Sequence, residues 1–194
     1  MATQDIVFVT GNANKLKEVK MILSSESSNF NLINEPLDLE EIQDVDLKSI
    51  AMAKCKQASE ILGPNRPVFV EDTALVFDEF NGLPGAYIKW FVKSMGLSKI
   101  VQMLDSFDNK NAKAITTIAF ADGKGKFHVF QGITEGSIVP SRGPTTFGWD
   151  SIFQPKESTN GQTYAEMAKE DKNLISQRGR AFAQLKTFLA TEPL

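Results

Sequence analysis

Two carboxylates, Glu71 and Asp72, break the apolar run Val68-Phe69-Val70 and are followed at once by Thr73. Neighbouring side chains of a strand point to opposite faces, so the two do not form a simple side-by-side pair. One can bind a hard divalent cation while the other polarises or orients a water. The plainer alternative is a strand end emerging into solvent, where carboxylates are freely hydrated. Upstream, residues 37–46 carry five carboxylates, and Glu40-Glu41 among them can supply another metal ligand.

An anion has a second place to bind. A short strand ends in Thr10-Gly11-Asn12, continues as Ala13-Asn14 and enters a helix at Lys15. Backbone N–H groups at a helix start, together with the helix dipole, favour negative charge. Gly11 lets the backbone approach closely, and Lys15 adds a full charge. The spacing is neither GxGxxG nor GxxxxGK[ST], so the usual dinucleotide and P-loop readings fail. The alternative is an ordinary strand-to-helix turn with Asn as its N-cap.

Two cations sit where a helix should be apolar. Over residues 47–62, Leu47, Ile50, Ala51, Ala58, Ile61 and Leu62 share one helical face, and Lys54 falls in its middle. An unpaired buried ammonium costs several kcal/mol, so Lys54 either snorkels to the edge or meets a carboxylate or phosphate. Near the C-terminus, Leu174, Ala181, Phe182, Leu185, Phe188 and Leu189 make another stripe, with Arg178 inside it. A guanidinium suits planar recognition of several oxygen acceptors; an internal ion pair is the alternative. Between these, Phe147-Gly148-Trp149-Asp150 lies in a Gly/Pro-rich loop. Its aromatics can sandwich a flat base while Asp150 accepts from a base N–H, or they can simply anchor the loop in the core. His128 reads as a strand residue facing water.

The elements that must carry these groups follow from periodicity. Strands are expected at residues 6–10, 67–77, 114–121, 126–131 and 136–139, with a hairpin turn at Asp122-Gly123-Lys124-Gly125. Helices are expected at residues 15–23, 47–62, from the 82–85 turn to about 95, 98–104 and, as one long helix, 173–190. Residues 24–29 read as a polar loop and 140–162 as irregular. Early alternation of strand and helix with a late meander predicts one α/β domain, residues 1–194, around a mixed sheet.

Composition narrows the function classes. A net charge of −3 leaves no global field to recruit nucleic acid or anionic lipid, so neither is expected as a partner. One cysteine, Cys55, excludes an internal disulfide and fits a reducing compartment. The cytoplasm is expected, with the nucleus as a further location. One histidine excludes the usual Cys/His zinc site and leaves only His128 for a Ser-His-Asp triad. The N-terminal residues do not read as a signal peptide, and no stretch reaches the length of a membrane span.

Taken in order, TGNANK (10–15), VEDTAL (70–75), GLPGAYIKWF (82–91), FGWDSIF (147–153), TYAEM (163–167) and KNLISQRGRA (172–181) resemble the inosine triphosphate pyrophosphatase family in its eukaryotic form. The resemblance implies an elongated α/β domain whose long mixed sheet floors a cleft between two lobes, a homodimer, and a Mg²⁺ requirement that Mn²⁺ can substitute. It implies hydrolysis of ITP, dITP and XTP to the monophosphate and pyrophosphate. By position, Thr10, Gly11, Asn12, Ala13, Asn14, Lys15, Lys54 and Lys89 would hold the triphosphate. Glu41 and Asp72 would bind the metal, Thr73 would touch substrate, and Asp72, Glu71 and Lys15 would act at the reacting phosphate. Phe147, Gly148, Trp149, Asp150, Lys172, Ser176, Gln177 and Arg178 would hold the base. The family's usual Ser-His-Arg is Ser176-Gln177-Arg178 here. A glutamine cannot change charge near neutral pH, and its amide can turn to either edge of a base. Two other functions compete: a nucleotide-binding regulatory module without turnover, and a pyrophosphatase for modified pyrimidines on a similar fold. The retained carboxylates argue against the first, and the aromatic loop with KNLISQR against the second.

Overall fold

A computed structural model gives the architecture and describes residues 4–24 and 30–192. Strand β1 (Gln4–Phe8) is followed by helix α1 (Ala13–Ser24), β2 (Phe30–Asn34), α2 (Leu47–Leu62), β3 (Val68–Phe77), the two-residue β4 (Pro84–Gly85), α3 (Ile88–Met95) and α4 (Leu97–Gln102). Then come β5 (Asn111–Ala121), β6 (Phe127–Ile138), β7 (Phe153–Pro155), α5 (Lys169–Ile175) and α6 (Gln177–Thr191). One mixed sheet has the order β2-β1-β3-β5-β6-β7, with β4 paired to the end of β3. β1 lies parallel to β2 and β3; the pairings of β3 with β5, β5 with β6 and β6 with β7 are antiparallel. The α/β class and the long mixed sheet expected from the sequence are both present.

Alternation along β3 assigns its two faces. Phe69 faces α1 and α6, in a cluster with Val19, Leu23, Phe182 and Leu185. Val68 and Val70 face α2, against Ala51, Cys55 and Ala58. A third cluster packs α3, α4, Trp149, Phe153 and Tyr164 against Leu75 and Phe77. Cys55 is buried and burial pushes its thiol up to about 12, which leaves essentially no thiolate at neutral pH. Helix α2 has the expected bounds because both ends are marked. The Asp46 carboxylate accepts from Lys48 N–H at 3.1 Å, and Gly63, at φ 97°, closes it.

Several expectations need correction. β2 was not anticipated; its five residues are ordered by parallel pairing with β1, a tertiary contact that local pattern does not report. β7 lies inside the stretch expected to be irregular, and it forms by adding an edge to β6. The two separate strands expected at 126–131 and 136–139 are one, β6. Gly132 is not a break: a Cβ there would stand 2.0 Å from the Gln177 carbonyl oxygen, so glycine lets α6 dock on the strand. The single C-terminal helix is two. Ser176 is extended at φ −72°, ψ 153°, and its hydroxyl accepts from Gly179 N–H at 3.0 Å, which restarts the helix as α6. A Cβ at Gly179 would lie 1.9 Å from the Asn173 carbonyl oxygen, so the tight corner also needs glycine. Leu174 therefore leaves the apolar stripe and is 79% exposed. Ile61 also turns outward, at 56% exposure. His128 is not a free surface residue: its ring lies 4.4 Å from that of Phe188 and its Nε2 is 3.4 Å from Asp122 Oδ2. The loop expected at 24–29 lies, after Ser24, outside the described residues. No described helix is long and apolar enough to cross a membrane.

Candidate active site

A cleft of about 700 Å³ opens at the C-terminal end of β1 and the middle of β3. Thr10, Gly11, Asn12, Asn14, Lys15, Glu41, Lys54, Glu71, Asp72, Thr73 and Lys89 line it, with Phe147, Gly148, Trp149, Asp150, Gln177 and Arg178 on the other wall. Thus nearly all of the sequence-derived candidates converge. Ala13, Lys172 and Ser176 do not line it. Ser176 is consumed by capping α6, and Lys172 lies behind the ring of Phe147, its Nζ 4.6 Å from the centroid.

Strand alternation sends Glu71 and Asp72 to different partners. Asp72 faces α2, where Lys54 Nζ donates to its Oδ1 at 2.9 Å. Asp72 Oδ2 is buried and makes no hydrogen bond. Glu41 approaches Lys54 at 3.9 Å and Lys89 at 3.4 Å. Burial opposes the charge on Lys54, but Asp72 and Glu41 outweigh it and raise its pKa. Lys54 thus meets carboxylates rather than snorkelling away. This end of the cleft holds two carboxylates, two ammonium groups and an unsatisfied carboxylate oxygen.

Glu71 faces α1 and α6 instead. Its side chain is fully buried between Lys15 Nζ, at 2.9 Å, and Arg178 Nε. From Arg178 the network continues to Glu18, from Glu18 to Lys172 at 2.6 Å, and from Lys172 to Asp150 at 2.6 Å. Three cations alternate with three carboxylates along this ladder, so the buried charges are matched. Arg178 donates to Glu71, Glu18 and, at 3.2 Å, Thr73 Oγ1, which leaves two of its five N–H donors. Burial pushes the Asp150 carboxyl up in spite of Lys172. Glu18 was missed from the sequence. It lies off the apolar face of Leu16, Val19 and Leu23, and what buries it is contact with Lys172 and Arg178, far away along the chain.

Burial opposes ionisation of Glu71, yet Arg178 and Lys15 win and hold its carboxyl at about 2, below the ordinary 4.5. A carboxyl more acidic in the folded than in the unfolded chain stabilises the fold fully above the unfolded value. That contribution drains away as pH falls from about 4.5 towards 2. We expect Glu71→Gln to flatten the loss of stability across this window, read as urea midpoints at successive pH values. An unchanged pH slope would remove Glu71 from the acid sensitivity of the fold.

The remaining candidates differ from expectation in detail. Asn12 does cap α1: its Oδ1 accepts from Asn14 N–H at 3.0 Å and Lys15 N–H at 3.1 Å, so those two donors are not free for an anion. Lys15 is held by Glu71 rather than extended alone into the cleft. Trp149 is 8% exposed and packs into the core, edge-on to Phe153 and tilted against Tyr164, so it is not one half of an open aromatic sandwich. Phe147 stays half-buried, with the Arg178 guanidinium carbon 5.7 Å from its ring centre. Asn14 Nδ2 reaches the Thr146 carbonyl at 3.3 Å and ties α1 to this loop.

Among the described residues, no three His, Cys, Asp or Glu side chains gather as a metal cage. Mg²⁺ does not need one; it is commonly held by one or two carboxylates plus substrate phosphates. Asp72, with its unpaired buried oxygen, and Glu41 across Lys54 fit that description.

Comparison with known proteins gives a single picture. The model of the Ham1 family matches residues 6–188. The chain is 74% identical over 189 residues to the inosine triphosphate pyrophosphatase of Kluyveromyces lactis, covering 97% of each. To the Saccharomyces cerevisiae protein of the same name it is 69% identical over 193 residues, covering 97% of this chain and 98% of that one. The structure of the Staphylococcus aureus Ham1 protein superposes with a TM-score of 0.81 at 25% identity, covering 97% of this chain and 99% of that one.

Proposed function

This chain belongs to the Ham1 family, and on that premise we propose that it hydrolyses non-standard purine nucleoside triphosphates (ITP, dITP and XTP) to the monophosphate and pyrophosphate, clearing them from the nucleotide pool before they enter DNA or RNA. It is a hydrolase acting on acid anhydrides. The observation that carries the reading is near-complete alignment at 74% identity with an inosine triphosphate pyrophosphatase. The polar cleft supports it, because cations and an unsatisfied carboxylate oxygen meet at one end and an aromatic with directed donors at the other.

Glu41 and Asp72 would hold Mg²⁺, or Mn²⁺ in its place, and the ion would neutralise phosphate charge and make a bound water more acidic. The residues of the chain divide the remaining work. Lys54 and Lys89 face the triphosphate and stabilise the leaving pyrophosphate. Thr10 and Gly11, which line the cleft just before α1, position the phosphates. Asp72 is the carboxylate placed to orient the attacking water. Glu71 and Lys15 act indirectly, by fixing Arg178 and the strand that bears Asp72. Phe147, Gln177 and Arg178 surround the base, while Lys172 and Asp150 support them from behind. The family resemblance also brings a homodimer and a cytoplasmic location, extending to the nucleus, into this proposal; light scattering of the purified protein tests the dimer.

Two experiments follow. Steady-state kcat/KM for ITP, dITP, XTP, GTP and ATP tests the substrate class: the three non-standard nucleotides should lead, and equal turnover of ATP would overturn the reading. For Lys54→Met we expect kcat/KM for ITP to fall by about 10²-fold. The fold should persist, because Asp72 is 28% exposed at its side chain and Glu41 keeps Lys89 at 3.4 Å. A stable, fully active Lys54→Met would reduce Lys54 to a structural ion pair.

A further inference from the structure

Gln177 lines the cleft while being only 2% exposed, and one contact decides which end of its amide faces the base. Tyr164 Oη donates to Gln177 Oε1 at 2.9 Å. Tyr164 is itself 2% exposed, packed against Phe153 and Trp149, so its ring has no freedom to follow the amide. Burial pushes its phenol well up, and it keeps its proton at any physiological pH. That proton points at the amide. Nearby Thr134 gives its own proton to the Ile175 carbonyl at 2.6 Å and accepts from Arg180 at 3.3 Å. With its own proton spent on Ile175, Thr134 has none to give Tyr164, and the phenol donates to Gln177 Oε1.

We infer that Tyr164 is a positioning residue for base selection: it pins the carbonyl end of the Gln177 amide and turns the NH₂ end toward the cleft as a fixed donor. This corrects the reading of Gln177 as free to flip, and it rests on the function proposed above. Hypoxanthine and xanthine carry a six-keto oxygen that accepts from an NH₂ group, whereas adenine carries an amino group that opposes it. A glutamine able to rotate would offer adenine its carbonyl. One whose carbonyl is held by Tyr164 cannot do so without breaking that bond, and the mismatched partner leaves donors unpaired on both sides. The hydroxyl lies outside the substrate's reach, so its effect passes through Gln177 alone.

The test is a double-mutant cycle read as the ITP-to-ATP ratio of kcat/KM, which does not depend on the fraction of folded enzyme. Tyr164→Phe keeps the ring in the core and removes only the hydroxyl. The ratio should fall by about tenfold, the scale of one hydrogen bond. Gln177→Ala should lower it similarly, and Tyr164→Phe should then have no further effect in the Gln177→Ala background. An unchanged ratio in Tyr164→Phe, or the same drop with Gln177 absent, overturns the inference. Should Tyr164→Phe fail to fold, Gln177→Glu carries the test, since its carboxylate can show only acceptors to the base. The ratio should then swing toward ATP, and a wild-type ratio in Gln177→Glu overturns the inference. Wild-type enzyme that does not favour ITP over ATP overturns the proposed function itself, and this inference with it; selective wild-type enzyme with an unmoved Tyr164→Phe overturns this inference alone.

Discussion

Replacing Asp72 with asparagine lowers kcat for ITP by about 10²-fold or more, the scale of one lost catalytic group. The fold persists. Asparagine has the same shape, Asp72 is 28% exposed at its side chain, and Lys54 still has Glu41 at 3.9 Å. What disappears is the carboxylate charge and the Oδ2 that has no hydrogen-bond partner. An amide nitrogen in that place can neither hold a cation nor accept from a water. Circular dichroism with a thermal melt checks the fold, and steady-state kinetics the activity. Near-normal kcat in Asp72→Asn would take Asp72 out of the reaction.

Arg178→Leu has a larger and double effect. Glu71 and Glu18, at 0% and 6% side-chain exposure, lose the cation they share. Removing one partner from a buried ion pair costs about 3–5 kcal/mol, so the variant melts well below wild type. ITP turnover falls with it. Loss of activity alone would therefore say little, but the ITP-to-ATP ratio of kcat/KM is blind to how much enzyme is folded. That ratio narrows if the two donors left over on Arg178 meet the six-keto oxygen, since adenine has none there. A wild-type ratio in a destabilised Arg178→Leu would assign Arg178 to the ladder and not to the base.

Much of this site was legible because charge in the wrong place is a strong signal. Lys54 within an apolar helical stripe and Glu71-Asp72 within an apolar strand both turned out to line the cleft. The apolar stripe that carries Arg178 presupposes a helix continuous through Leu174, whereas the chain breaks at Ser176 and Leu174 is exposed. The arginine is buried because α6 begins against Gly132, a contact between elements far apart in sequence. The same limit hid β2 and β7, which exist only through pairing with neighbours. It also hid the partners. Periodicity could place Arg178 and Lys172 near one another, but not reveal that Glu18 holds both. The fixed amide of Gln177 likewise depends on Tyr164, thirteen residues away along the chain.

Cleavage of a purine triphosphate falls between its α and β phosphorus atoms in the proposed reaction. Its most direct measurement is the phosphorus-containing product formed from ITP with Mg²⁺ present, resolved by phosphorus NMR. One pyrophosphate should be released for each IMP, with no orthophosphate. Orthophosphate released in step with IDP would contradict it.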